Sequence, residues 1–404
     1  MSTLNKNIIL SCAVLASVAS SSFVQAVPFA LEARSLGMGN TSVATADIAT
    51  AALANPGMLS YQQAKEDFSL LLAGGIFIDD NEGMLDLVDS FQANFDNYLP
   101  GSNNDVLANA IIADANALNG KTLDPNGVFS AVVGFSFKEY SLAFSARSEI
   151  VAAGGLVSAS LPANGSATTA NADALMAAFD GPTAAHTVDL NGTSITELGL
   201  SGAKSFTAFN RKISVGITPK IVSVESYTSS TPLAAFDTDS GDLIENNNAV
   251  SLGEVTTIDV GFVSEISERT QVGLVIKNLI EDELVNGLNS VNINRQVRLG
   301  LAYRGDLFTI GMDLDLVESD PVIVTPTFQS KITQMASLGM EFNAWDFLQI
   351  RLGAQKNLAD NPSVVSEETL LTAGVGIWIG VNIDVAVIAG EESAGVFVQT
   401  GFKF

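Results

Sequence analysis

The sequence predicts an all-β protein: a transmembrane antiparallel β-barrel of about 14 strands, with an N-terminal plug inside it and short helices in its external loops. Three observations predict it. Apolar residues alternate with glycine, polar and charged residues from Phe68 to the last residue. The gaps between alternating segments are by turns very short and long. No segment suits a membrane helix, although 47% of the 404 residues are hydrophobic and the mean hydropathy is +0.31. An apolar strand face turned to lipid, with the other face lining a lumen, reconciles that apolarity with a net charge of −25.

Residues 1–26 read as a secretory signal peptide. Lys6 supplies the positive start, Ile8–Ala19 the apolar stretch, and Val24-Gln25-Ala26 a small-residue cleavage pattern, so the mature chain would begin at Val27. Cys12 follows too short an apolar run to be a lipidation site. Losing Lys6 takes the 19 basic residues to 18 against 44 acidic ones, and the net charge from −25 to −26. Losing Cys12 leaves no cysteine, which excludes a thiol enzyme, a disulfide scaffold and a cysteine zinc site. The acidic balance speaks against a nucleic-acid partner.

Strands are expected near 66–77, 128–137, 140–149, 194–206, 210–227, 255–265, 270–279, 296–304, 307–317, 334–343, 346–356, 369–379, 381–389 and 395–404. Within them Val297, Leu299, Leu301 and Tyr303 alternate with Arg298, Gly300, Ala302 and Arg304. Leu370–Gly390 has the length of a membrane helix but carries Gly374, Gly376 and Gly380 among β-branched residues. It reads as two strands with a turn at Gly380. Lys138-Glu139, Gly305-Asp306 and Ala344-Trp345 are tight turns, whereas 78–127, 150–193 and 228–254 are long gaps. Short turns at one end and long loops at the other are the layout of a bacterial outer-membrane barrel.

The long gaps carry helical spacing: Met84, Leu87, Val88, Phe91 and Phe95; Leu107, Ala110, Ile111 and Leu118, interrupted by Asp114; and a shorter candidate over Ala172–Phe179. These helices would cap the barrel mouth, by packing on the rim or by lining a hydrophobic pocket. His186, the single histidine, reads as a solvated loop residue rather than a catalytic base. Asp237–Asp242 has a calcium-loop flavour, but Gly241 and Asp242 stand in reverse order and Asn248 replaces the closing Glu, so a solvated acidic turn is expected. Asp79, Asp80 and Glu82 could bridge weakly to lipopolysaccharide through divalent cations. No cofactor, resident metal or catalytic residue is expected.

The two ends carry a family resemblance. The last strand, Val396–Phe404, places Val396, Val398, Phe402 and Phe404 on one face, and it resembles the signal read by the outer-membrane barrel insertion machinery. The stretch Ala33-Arg34-Ser35-Leu36-Gly37-Met38-Gly39, the Val43-Ala44 pair before Asp47, and Asn55-Pro56-Gly57 resemble the start of the FadL-type outer-membrane transporters. Within that superfamily they most resemble the barrel-type conjugal transfer protein TraF family. Gly57 stands where the family's Asn-Pro-Ala motif has alanine.

The resemblance implies a plug or hatch over 27–65 inside a barrel over 66–404, with Arg34, Gly37, Gly39, Asp47, Asn55, Pro56 and Gly57 forming plug and gate. Arg298, Arg304, Asp313, Asp315, Glu341 and Arg351 would be lumen charges available to pair with Glu32, Arg34 and Asp47. It implies an outer-membrane location and the binding or passive transport of hydrophobic small molecules. Outer-membrane lipid, lipopolysaccharide and the insertion machinery would be the other partners. The alternative is a structural or assembly role in a conjugation or secretion apparatus. A transporter should hold an apolar pocket among the first two external loops; a scaffold should have a filled, charged lumen.

Overall fold

The computed structural model describes residues 32–61, 67–80, 83–158, 161–180, 184–235, 249–286, 289–320, 322–324, 332–345, 347–360, 369–390 and 393–404. The signal-peptide reading and the 237–242 turn lie outside them.

Among the described residues seventeen strands run in chain order: β1 Phe68–Asp79, β2 Thr122–Phe137, β3 Tyr140–Ser158, β4 His186–Ala208, β5 Arg211–Pro232, β6 Val250–Ser267, β7 Thr270–Lys277, β8 Asp282–Asn286, β9 Asn289–Ile293, β10 Gln296–Arg304, β11 Phe308–Asp315, β12 Ile323–Val324, β13 Met335–Trp345, β14 Leu348–Asn357, β15 Thr369–Trp378, β16 Asn382–Ala389 and β17 Ser393–Lys403. Fourteen of them close into an antiparallel barrel; β8, β9 and β12 form a separate three-stranded sheet that the sequence pattern does not announce.

The barrel closes where β17 pairs with β1 in an unbroken register from Ser69 opposite Lys403 to Asp79 opposite Ser393. Phe68 stacks on Phe404 with ring centroids 5.2 Å apart and sits 5.6 Å from Phe402, so the two terminal phenylalanines cover the seam from outside. The backbone N–H groups of Asp67 and Phe68 also donate to the Phe404 carbonyl.

Period-2 patterning decides which face is which. On β10, Leu301 is 41% exposed and its neighbour Ala302 is fully buried; on β17, Val398 is 49% exposed and Gln399 is 4%. The apolar residues therefore point out of the barrel and the polar ones in, the inverse of a soluble sandwich. The turn between β15 and β16 holds Gly380 at φ +89°, a conformation that costs other residues energy.

The walls are uneven. β7, β10, β11 and β13–β17 have 8–11 residues, near the length that spans a bilayer. β2–β6 have 16–23 and run well past the expected ends toward the long loops. Their upper parts stay paired because a cap folds against them. It consists of α4 Met84–Asp96, α5 Asp105–Leu118 and α6 Ala172–Met176, numbered after three short helices nearer the N-terminus: α1 Ala33–Gly37, α2 Ala51–Ala54 and α3 Met58–Tyr61. Asp80 caps α4, accepting from Met84 N at 2.6 Å and Leu85 N at 3.1 Å. The buried stripe of α5 is Ala108, Ile111, Ile112, Ala115 and Leu118, rotated from the expected Leu107 and Ala110. That rotation frees Asp114 to accept from Asn94 Nδ2 at 2.8 Å and Ser90 Oγ at 3.3 Å, tying α5 to α4.

Residues 32–61 lie inside the barrel and are almost wholly buried. Their backbone runs so close to the wall that inward positions are glycine. A Cβ on Gly300 would meet Val43 Cβ at 2.7 Å, and one on Gly311 would meet Thr45 Cγ2 at 2.6 Å. A Cβ on Gly353 or Gly339 would collide with the Met38–Gly39 backbone. Gly353→Val should therefore cost about 1–3 kcal/mol by overpacking, read as a lower temperature for loss of the folded band on a detergent gel. Leu352→Val, one residue away on the outer face, should leave that temperature nearly unchanged.

Candidate functional site: the occupied lumen

The lumenal segment enters through α1. Glu32 caps this helix, accepting from Ser35 N at 2.9 Å. Arg34 then points to the wall: Nε reaches Glu341 Oε2 at 3.1 Å, Nη2 reaches Glu341 Oε1 at 3.3 Å, and Nη1 donates to the Thr45 carbonyl at 3.0 Å. Glu341 also accepts from Arg351 Nε at 2.8 Å, and Arg351 Nη1 donates to Asp384 at 2.6 Å. Gln399 Nε2 donates to Asp384 at 3.0 Å, while its oxygen accepts from Arg34 N at 3.2 Å. One buried chain of alternating charge thus joins the segment to β13, β14, β16 and β17.

The remaining site residues follow along the segment. Gly37 packs on Gly374, and Thr372 Oγ1 accepts from Gly39 N at 2.8 Å. Gly39 has φ +66°, with the Leu338 and Ala354 backbones where a side chain would stand. Asp313 Oδ2 accepts from two successive amides, Ser42 N at 2.7 Å and Val43 N at 3.0 Å. Arg304 Nη2 donates to the Thr45 carbonyl at 3.2 Å. Asp47 binds Lys403 Nζ at 2.9 Å and accepts from Ala49 and Thr50 N at 3.1 Å. Asn55 Nδ2 donates to the Val43 carbonyl at 2.8 Å and the Phe262 carbonyl at 3.3 Å, and its oxygen accepts from Gly57 N at 3.0 Å. Pro56 and Gly57 lie flush on Gly216 and Gly261.

Pairing differs from expectation in three places. Arg298 and Asp315 bind each other on the wall, with Nη2 to Oδ2 at 2.9 Å, instead of reaching the segment. Glu32 is satisfied by its own helix start. The cation for Asp47 is Lys403 on the closing strand, which sequence reading passed over.

A second ionic layer was also missed. Arg147, Glu149, Glu197, Lys220, Asp259 and Lys277 point inward from β3–β7. Lys220 reaches Glu197 at 3.0 Å and Asp259 at 3.2 Å, Arg147 reaches Glu149 at 2.5 Å and Glu197 at 3.6 Å, and Lys277 Nζ donates to the Leu53 carbonyl at 2.5 Å. Most of this layer lines a cavity of about 10 Å³ beside Ala52 and Leu53, room for one water molecule. Strict alternation at these positions was the available signal.

Above these layers the cap is a packed apolar cluster that includes Met84, Val88, Phe91, Ile111, Leu118, Met176 and Phe179. His186 belongs to it: 3% exposed, it lies with its ring 4.5 Å from that of Phe179. The solvated reading is overturned, because β4 extends up to this residue and the cap folds over it. Among the described residues no group of three or more potential metal-ligating side chains clusters.

Two predictions follow from these contacts. Glu341→Gln leaves Arg34 and Arg351 without their shared counter-charge, and should cost about 3–5 kcal/mol in urea unfolding. In the cap, Tyr98 OH donates to Asp173 at 2.5 Å, which holds the Asp173 carboxyl below its ordinary range. The stabilisation is present above the ordinary carboxylate pKa of about 3.9 and is lost as pH falls through the lowered value. Tyr98→Phe should shrink that acid step in proteolysis of the cap, leaving the part that the Asn103 amide supports.

A family profile described as "F plasmid transfer operon, TraF, protein" matches residues 52–315. Among solved structures, the CymD monoaromatic hydrocarbon channel is 12% identical, with TM-score 0.52 over 93% of this chain and 97% of its own. The Ralstonia pickettii toluene transporter TbuX is 11% identical, with TM-score 0.52 over 94% of this chain and 99% of its own. At such identities the likeness is one of fold. No curated protein matches in sequence.

Proposed function

The chain belongs to the F plasmid transfer operon TraF protein family, and from that premise we propose that it is an outer-membrane barrel that binds, or passively transports, small hydrophobic molecules. The observation that carries this reading is a closed barrel, apolar on its outer face, whose lumen is filled by its own N-terminal residues through non-covalent contacts. The barrel-channel fold it shares with a hydrocarbon channel and a toluene transporter supports it further.

In this reading residues 27–65 are the plug and 66–404 the barrel. The long loops face outward, and Phe402 and Phe404 form the insertion signal. Solute binds near the external loops and leaves through a gap beside Asn55-Pro56-Gly57. Charge fastens the plug at Arg34 and Asp47. The turn at 55–57 instead rests on glycine, with Asn55 Nδ2 to the Phe262 carbonyl as its bond to the wall. The turn itself can shift between the bonds that flank it, Lys277 Nζ to the Leu53 carbonyl and Ser60 Oγ to Ser214 Oγ.

A second reading has its own support. The lumen around residues 32–61 is packed and ionic, as expected of a scaffold in an assembly apparatus. Purified protein in detergent decides between them: a hydrophobic ligand panel together with single-channel recording. Neither ligand nor conductance would leave the scaffold reading. Asn55→Ala should raise conductance and lower stability by about 1–2 kcal/mol through its lost hydrogen bonds. Mature protein that stays soluble without detergent and fractionates with the periplasm would sink the membrane assignment itself.

A further inference from the structure

The sheet outside the barrel ladder has a definite seat. β9 pairs with β8 and β12, and with no barrel strand among the described residues. Its Val291 and Ile293 are nevertheless 1% and 5% exposed. They are buried against five inward side chains of the tall wall, Val151, Ile195, Val222, Val224 and Val255. The wall is shaped for this contact. The β5–β6 register shifts between Val224 and Glu225, and opposite it Gly253 takes φ +136°. Leu284 of β8 fills the space beside that glycine, its Cδ2 3.3 Å from where a Cβ would stand.

Directly below, the wall turns ionic. Along one strand each, the inward neighbours are Val151 and Glu149, Ile195 and Glu197, and Val222 and Lys220. An apolar solute entering from the loop end therefore meets these five residues as the last apolar surface before buried charge. Past that level its transfer would be unfavourable.

We propose that this wall patch is a binding site for a compact apolar solute, a single aromatic ring or a short branched alkane, and that β9 occupies it in the resting protein as a built-in surrogate. The inference rests on the transporter reading above and names its entry site. Among the described residues side chains hold β9 to the wall and backbone ladders do not, so the small sheet of β8, β9 and β12 can lift as a unit. A solute of the size of the valine and isoleucine side chains it displaces recovers the same apolar burial. Occupancy by β9 weakens apparent solute affinity by the fraction of time the patch is free.

The test uses the full-length protein in detergent, with toluene as the probe. Toluene should speed hydrogen exchange of the Asn289–Ile293 amides in the wild type by about tenfold or more. Replacing Asp282–Ile293 by a short glycine-serine link should tighten toluene binding by about tenfold or more. Should that variant fail to fold, Val291→Ser with Ile293→Ser weakens the seat and should tighten binding in the same direction. Toluene binding to the wild type with unchanged exchange and unchanged affinity in the variants would overturn the inference and leave the transporter reading standing. Absence of toluene binding in wild type and variants alike would overturn both.

Discussion

A sheet placed in hydrocarbon cannot keep a free edge, because each unpaired backbone N–H or carbonyl there goes unsatisfied. The pairing of β1 with β17 discharges that constraint, and much else in the molecule is arranged around it. The closing strand carries Gln399 and Lys403 on its inner face, where they meet Arg34 and Asp47, and phenylalanines on its outer face. The seam is thus secured from both sides, by polar contacts to the lumenal segment within and by aromatic packing without.

Closure creates a second problem, an interior lined by backbone and charge. The chain solves it with two kinds of contact. Where the lumenal segment lies against the wall, inward glycines let backbone approach backbone. Where it does not, charges of opposite sign are set across strands, as Glu341 with Arg351 and Lys220 with Glu197 and Asp259. Glu341 sits at the centre of this arrangement, shared by an arginine from the segment and one from the wall. Buried ion pairs contribute little net stability over an apolar replacement, but breaking one is costly. Their value here is register: they place the segment at one height in the lumen. On the inner face of the upper wall, Val151, Ile195, Val222, Val224 and Val255 form an apolar band directly above the buried charges.

Much of this was legible in sequence because strand patterning is strict. Lumen-facing positions such as Arg298, Asp313 and Arg351 are identifiable from their apolar neighbours alone, and Gly380 marks a turn that a hydropathy window reads as a helix. Partner choice was not legible. Arg298 and Asp315 stand on adjacent strands and find each other, and Lys403 lies 356 positions from Asp47; neither pairing leaves a local trace. The burial of His186 and the seat of β9 were hidden for the same reason, since each depends on loops folding back over a wall distant in sequence.

By itself the sequence determined the fold class, the order of the fourteen barrel strands and the direction in which side chains point along the alternating segments. All three follow from a period of two and from gap lengths, which are local properties. Only the tertiary structure decided which charges meet, how far β2–β6 rise above the rest, and which apolar surface the small sheet covers. Those depend on closure and on the path of residues 32–61 through the lumen, where distances across the barrel bear no relation to distances along the chain.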